Sequence, residues 1–252
     1  MKIPFHLKIG EWLYKHAYKV YQPLYFYYKK QQEKTEINCI RKILHKGDNV
    51  VDIGANVGFY TILFSQIVGD NGKVFAFEPD VDNFEKLKRN TLHLGNVKIE
   101  NKAISNYSGK ITLYHSSLNV DHRTYPTDEV YQAYQIDCIT LDDYFQMVDN
   151  KTELRLIKMD IQGFEPIAIQ GMLQTIQKNP QVSLITEFWP YGIEKAGSSA
   201  TNYLQQLKQL FSYIYLIEKN GVQQIEDKFE EHLEYDPFVY YNLLASNNAI
   251  FH

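Results

Sequence analysis

Two periodicities run along this chain. Ile37, Ile40, Ile43 and Leu44 recur at helical spacing and predict a helix over 36–44, closed by Lys46-Gly47-Asp48. A short apolar run at 49–53 then predicts a buried strand, followed by a helix over 60–68 that ends at Gly69-Asp70-Asn71-Gly72. The alternation repeats with a strand at 73–77 ending in Glu78-Pro79, a polar-faced helix at 82–94 and a strand at 97–100. Residues 111–114 alternate as a strand, Ile139 opens a short capped helix with 140–145, and 154–159 and 182–186 read as buried strands. Strands separated by helices of this length predict an α/β fold with a mostly parallel sheet covered on both faces. Residues 213–218, 223–225 and 242–245 read as late strands around the turn Asn220-Gly221, which predicts an antiparallel edge.

The first 30 residues differ from the rest. They hold six lysines against the single acid Glu11, a net +5 within a chain whose total is -4. Trp12, Tyr14, Tyr18, Tyr21 and Tyr25 approximate helical spacing, with Pro23 as an expected interruption. Residues 1–35 thus read as a basic, aromatic helical extension and 36–252 as the main domain. Two roles stay open for the extension: a cap packed on the domain, or a surface element that meets anionic lipid or a glycolipid acceptor.

Composition excludes some functions. With 44% hydrophobic and 22% charged residues, the chain can bury an ordinary core. No apolar run is long enough to span a bilayer, and the first ten residues lack the centre of a secretion signal. The expectation is a cytoplasmic protein, with the inner membrane face as an option. A pI near 6.1 gives no electrostatic reason for a nucleic-acid partner. Cys39 and Cys138 show neither metal-ligand nor redox spacing.

The chemistry concentrates in 51–61, Val-Asp-Ile-Gly-Ala-Asn-Val-Gly-Phe-Tyr-Thr, between a strand and a helix. Gly54 and Gly58 allow a tight turn and close approach to a ligand at the carboxyl end of a parallel strand. Glu78 ends the next strand and suits ribose hydroxyls. Asp52 disfavours a dinucleotide, because it would face a pyrophosphate, and Asn56 stands at the middle glycine of the dinucleotide pattern. The same acid would attract the sulfonium and ammonium of S-adenosylmethionine. An NAD-dependent oxidoreductase and a non-catalytic nucleoside-binding module remain the alternatives.

The segments VDIGANVGFYT (51–61), FAFEPD (75–80), NKAIS (101–105), TLDDY (140–144), LIKMDIQGFE (156–165) and LITEF (184–188) occur in the order seen in FkbM-type methyltransferases, and the chain resembles that family over 36–190. The resemblance implies a class I methyltransferase fold, Rossmann-like, with seven strands and one antiparallel C-terminal strand. It implies S-adenosylmethionine as cofactor and O-methylation of a hydroxyl on a sugar, glycan or natural product. Residue by residue it carries cofactor roles to Asp52, Gly54, Asn56, Gly58, Thr61, Glu78, Pro79, Asp80, Asn101, Ala103 and Asp160. One departure is Gln162, where the family usually has a glutamate; Glu165 keeps the second acid of that pattern.

An alcohol is a poor nucleophile, so a base or a metal should help remove its proton. Asp160, Glu165 and Glu187, each close to a strand end, are the candidate catalytic groups; a divalent metal has no dedicated ligand pattern. The long segment 116–135 lacks structural signals and reads as a lid carrying a further base candidate, His122, with His115 and Tyr125 beside it. Tyr125, Tyr131, Tyr134, Trp189 and Tyr191 could stack on sugar faces or simply pack.

Overall fold

The computed structural model describes residues 5–115, 132–148 and 151–251. Three helices come first: α1 (Phe5–His16), α2 (Tyr18–Gln32) and α3 (Lys34–Ile43). The alternating core follows as β1 (Asn49–Ile53), α4 (Phe59–Val68), β2 (Lys73–Phe77), α5 (Val81–Thr91) and β3 (Val97–Glu100). Next come β4 (Ala103–Ile104), β5 (Gly109–His115), β6 (Gln132–Ile139) and α6 (Leu141–Val148). The second half holds β7 (Leu154–Met159), α7 (Glu165–Ala168), α8 (Leu173–Lys178), β8 (Ser183–Phe188), α9 (Pro190–Lys195), α10 (Ala200–Leu210), β9 (Tyr213–Glu218), β10 (Gly221–Gln224) and β11 (Tyr241–Ser246).

The main sheet has eight strands in the order β10-β9-β11-β8-β7-β1-β2-β3. β3, β2, β1, β7 and β8 run parallel, and β11 enters antiparallel between β8 and β9. Seven strands make the expected sheet. The eighth, β10, is an added edge that folds back on β9 through the Asn220-Gly221 turn. A small separate sheet, β4-β6-β5, takes up the chain between β3 and α6.

Strand alternation sorts the core into two layers. Val51, Ile53, Ile157 and Met159 point to the side covered by α6 and α10, while Val50, Leu156 and Ile185 point to the side covered by α3 and α4. The intervening positions, Asp52 and Lys158, therefore lie on the α3/α4 side, and they are register partners across β1 and β7.

Three expectations change. Residues 132–139 are a strand, so 132–135 do not belong to a lid, and Ile139 ends β6 rather than opening a helix. His122, Tyr125 and Tyr131 lie outside the described residues. Pro23 does not interrupt α2; the break falls at Ala17, with φ -140° and ψ 49°. A proline at the sixth helical position removes only one internal hydrogen bond, and its acceptor, the carbonyl of Lys19, belongs to an exposed residue that water can reach.

Helices α1 and α2 dock on the domain through tyrosines. Tyr14 donates to Asn83 Oδ1 at 2.6 Å, and Asn90 donates to the Tyr18 hydroxyl at 2.7 Å. Tyr14, Tyr21 and Val57 form a buried cluster of their own.

Candidate active site

The chain leaves β3 and returns on the other side of β1 as β7, so the sheet changes direction between β1 and β7. Open α/β sheets bind ligands at this place. The two loops beyond those strands touch through backbone. Asp160 N donates to the Ile53 carbonyl at 3.0 Å, and a Cβ built on Gly54 would stand 2.0 Å from the Asp160 carbonyl oxygen. Gly54 also has φ +81°, so both space and backbone conformation require glycine. Asn56 holds φ +49°, and its own Oδ1 accepts from Val57 N at 2.8 Å. An asparagine tolerates that left-handed turn where most side chains would not.

Beneath the loop, Glu78 accepts from Asn56 N at 2.7 Å and from Asp80 N at 3.0 Å. Burial pushes its carboxyl up to about 8, partly offset by those amides. Asn101 clamps the same corner, its Nδ2 donating to the carbonyls of Glu78 and Pro79 at 2.8 and 3.0 Å. Asp80 caps α5 by accepting from Asn83 N at 2.8 Å, and it also accepts from the Tyr134 hydroxyl at 2.7 Å. Tyr134 is thereby a support for the corner.

A cavity of about 900 Å³ opens on this corner. Gly54, Asn56, Glu78, Pro79 and Ala103 line it, together with Asp160, Gln162 and Glu187. The geometry thus unites seven of the residues singled out in the sequence: Gly54, Asn56, Glu78, Pro79, Ala103, Asp160 and Glu187. Asp52, Gly58, Thr61, Asp80, Asn101 and Glu165 stand behind the lining.

Two of those placements correct the sequence reading. Asp52 is not a carboxylate at the mouth. It is 2% exposed, points under α4 and accepts from Thr61 Oγ1 at 2.5 Å. Burial raises it to about 6, opposed by Thr61 and Lys158. The cause is strand alternation, which turns position 52 toward the α3/α4 layer. Glu165 is fully buried and closes the turn after β7, accepting from Ile161 N at 2.8 Å and Gly163 N at 2.9 Å. Burial raises it to about 7, but both oxygens are engaged by backbone and neither lines the cavity.

Beside the Gly54 turn the cavity wall holds a cluster of charges. Gln162 Nε2 donates to Asp160 Oδ1 at 3.2 Å and to Glu187 Oε2 at 3.1 Å, so one neutral amide links two carboxylates. Burial, then Asp160 and Glu165, raise Glu187 well above the usual carboxylate range. Lys158 lies 3.7 Å from Asp160 Oδ2, 3.8 Å from Glu36 Oε1 and 4.3 Å from the centre of the Tyr60 ring. Burial alone would lower the Lys158 ammonium, but Glu36, Asp160 and Asp52 outweigh it and the net direction is up. Burial raises Glu36, opposed mainly by Lys158. Helix α2 adds Tyr25 and Lys29 to the wall, and Glu33, between α2 and α3, lies 3.0 Å from Lys29 Nζ through its Oε1.

The sequence reading missed Lys158, Glu36 and Lys29. Two left a signal. Glu36 interrupts the apolar face formed by Ile37, Ile40 and Ile43, and Lys158 interrupts the apolar end of β7 just before Asp160. Buried ionisable positions of that kind are rare unless paired.

The donor set fits S-adenosylmethionine. A glycine floor with no room for a Cβ admits close approach. Glu78, held by the Asn56 and Asp80 amides and the Asn83 side chain, is a carboxylate fixed at the cavity wall where it can accept from a ribose hydroxyl. The carboxylates of Asp160 and Glu187 in the same cavity suit a cationic methyl donor. Among the described residues no group of three or more His, Cys, Asp and Glu is arranged to hold a metal ion.

Known proteins extend the picture. Within residues of this chain, 64 are 36% identical to a protein-L-isoaspartate O-methyltransferase of Methanococcus maripaludis, a match covering 25% of this chain and only 30% of that relative. A provisional rRNA methylase of Clostridium thermocellum has a similar fold, with a TM-score of 0.52 at 13% identity, over 85% of this chain and 94% of the other. At that identity the likeness is one of fold. The model of the methyltransferase FkbM domain matches residues 52–232, from the buried aspartate of β1 past the last helix. With most of its length inside that match, the chain belongs to the FkbM methyltransferase family, whose cofactor is S-adenosylmethionine.

Proposed function

We propose that the protein transfers a methyl group from S-adenosylmethionine to a hydroxyl of a sugar, glycan or natural-product acceptor. The observation that carries this reading is the carboxylate pair Asp160–Glu187, joined through Gln162 in the cavity that also holds Gly54 and Glu78. In this reading Gly54 and Asn56 would hold the cofactor, with Glu78 bonding the ribose and Pro79 and Ala103 flanking the adenine. Asp52, Thr61, Gly58, Asp80 and Asn101 position those groups from behind.

When bound, the cofactor supplies a carbon already activated by its sulfonium, whose sulfur keeps the electron pair of the broken bond. The protein then has two tasks, alignment and removal of the acceptor proton. Glu187 takes that proton as the new carbon–oxygen bond forms. Its burial makes it a stronger base than an ordinary carboxylate once ionised. Asp160 steers the cationic donor, and Lys158 behind it keeps that wall from being wholly anionic. Glu165 holds the turn that presents Asp160 and Gln162.

Residues 1–35 are an appended extension in this reading, and 36–252 form the methyltransferase domain. The extension walls the cavity through α2 and brings the protein to the inner face of the membrane. No helix among the described residues is long and apolar enough to cross a bilayer.

The test is calorimetric titration with S-adenosylmethionine, followed by transfer of labelled methyl to a panel of hydroxylated acceptors. The reading requires tight binding that is lost in Glu78→Ala, and an ether product. Binding that survives Glu78→Ala, or transfer only to nitrogen, overturns it.

A further inference from the structure

Helix α2 is apolar on two faces. Its inner face buries Tyr21 and packs Tyr18, Tyr25 and Phe26 against the domain. Its outer face carries Val20, Leu24, Tyr27 and Tyr28, which recur every three to four residues and are all more than half exposed. Trp12 on α1 is exposed as well, at 58%. A stripe of exposed apolar residues opposite a buried face marks a candidate interaction surface.

This outer stripe is continuous with the mouth of the active-site cavity. Leu24 and Tyr28 line the cavity and are exposed at the same time. Phe238 and Tyr240, from the chain just before β11, also line it and are 68% and 61% exposed. The opening therefore has a hydrocarbon rim, while its interior holds Asp160, Gln162 and Glu187. Such a gradient, apolar at the lip and charged inside, suits an amphiphile whose polar head enters and whose tail stays at the rim.

Charge selects the occupant. Lys19 and Lys30 are exposed beside the stripe, and the first 30 residues carry a net +5 in a chain of net -4. A basic helix surface interleaved with Trp, Tyr and Leu is the chemistry of an interfacial helix on anionic lipid. Resting on the methyltransferase reading above, we infer that the rim of the cavity docks on an anionic lipid bilayer, from which a lipid-borne hydroxyl acceptor enters.

Flotation with vesicles of phosphatidylcholine and phosphatidylglycerol tests this on the full chain, with pure phosphatidylcholine vesicles as the comparison. The wild type should float with the anionic vesicles, and Leu24→Asp should reduce the bound fraction by about tenfold. Met147→Asp, at an exposed apolar residue on α6, should change nothing. Orientation is read separately from the fluorescence that Phe238→Trp adds to a Trp12→Phe background, in which the buried Trp189 remains, and that increment should be quenched by brominated acyl chains.

Failure to float, flotation unaffected by Leu24→Asp, or an unquenched tryptophan at 238 each overturns the inference. So does a wild-type dimer that Leu24→Asp converts to monomer without vesicle binding, which would assign the face to a second copy of the chain. Calorimetric binding of S-adenosylmethionine should be present in the wild type and unchanged in Met147→Asp, which lies outside the cavity. Loss of flotation with intact cofactor binding refutes only the bilayer, whereas absent cofactor binding in the wild type refutes the underlying function.

Discussion

Gln162 and Glu187 are joined by a hydrogen bond of 3.1 Å from the amide Nε2 to Oε2, and the same nitrogen reaches Asp160 at 3.2 Å. A glutamine in this place is a donor between two acceptors. A glutamate would add a third negative charge and remove the amide donor that links the two carboxylates, raising Glu187 still further. Gln162→Glu is therefore expected to lower kcat roughly tenfold at neutral pH. The rising limb of its pH–rate profile should move to more alkaline pH. An unchanged profile would show that residue 162 does not tune the base.

Cofactor affinity should depend on pH through Glu78. In the free protein its carboxyl is pushed up to about 8 by burial. Ribose hydroxyls would donate to the ionised form and pull that value down. Binding thus tightens as pH rises toward about 8, by up to about tenfold per pH unit, and then levels off. Calorimetry at several pH values reads this directly, and Glu78→Gln should flatten the curve and weaken binding by roughly tenfold or more.

The same carboxyl sets a sign for stability. Its folded value lies above the unfolded value of 4.5, so its contribution is fully present below about 4.5 and lost as pH climbs through about 8. Without cofactor, resistance to urea should fall over that interval. Saturating S-adenosylmethionine should reverse part of the loss at pH 8.

Gly54→Ala is expected to destabilise by about 1–3 kcal/mol from strain alone, and to abolish cofactor binding. The new methyl would meet the Asp160 carbonyl oxygen 2.0 Å away and drive the two site loops apart. Gly47→Ala is the control. Its φ is +94° but nothing lies within 4 Å of the added carbon, so only a conformational penalty of about 1 kcal/mol remains. Urea denaturation of both variants separates crowding from backbone preference.

Lys158 is 5% exposed and faces three acids, Glu36, Asp52 and Asp160. Removing the cation by Lys158→Met should destabilise by about 3–5 kcal/mol, because the acids are left uncompensated. Adding Glu36→Gln should recover part of that loss. A double-mutant cycle checks it; strictly additive effects would show that the pair is not coupled.

Much of this fold is legible in the chain itself. The runs at 49–53, 73–77, 97–100 and 154–159 are strands with those bounds, because each is short and closed by a turn, and all but the half-charged 97–100 are largely apolar. The floor of the site is legible for the same reason, since Gly54 and Asn56 occupy a turn that few other residues can make. The facing of Asp52 was recoverable too. It stands between Val51 and Ile53, so strand alternation puts it on the opposite side from both and on the side of Thr61. Its charge near the loop suggested a ligand contact, and the periodicity argued otherwise.

What the chain does not display is proximity between distant elements. Glu36, Lys158 and Asp160 converge only because α3 lies over the ends of β1 and β7. Lys29 reaches the cavity only because α2 runs on through Pro23. β6 escaped notice because its start, Gln132 to Gln135, is polar and pairs with β5 in a sheet outside the main core.

The most direct test of the account is transfer of labelled methyl from S-adenosylmethionine to hydroxylated acceptors by the wild type and by Glu187→Gln. The account predicts an ether product from the wild type. In Glu187→Gln, turnover should fall about a hundredfold or more while cofactor affinity is retained. A variant that turns over like the wild type, or a wild type that binds the cofactor and methylates no hydroxyl, would contradict it.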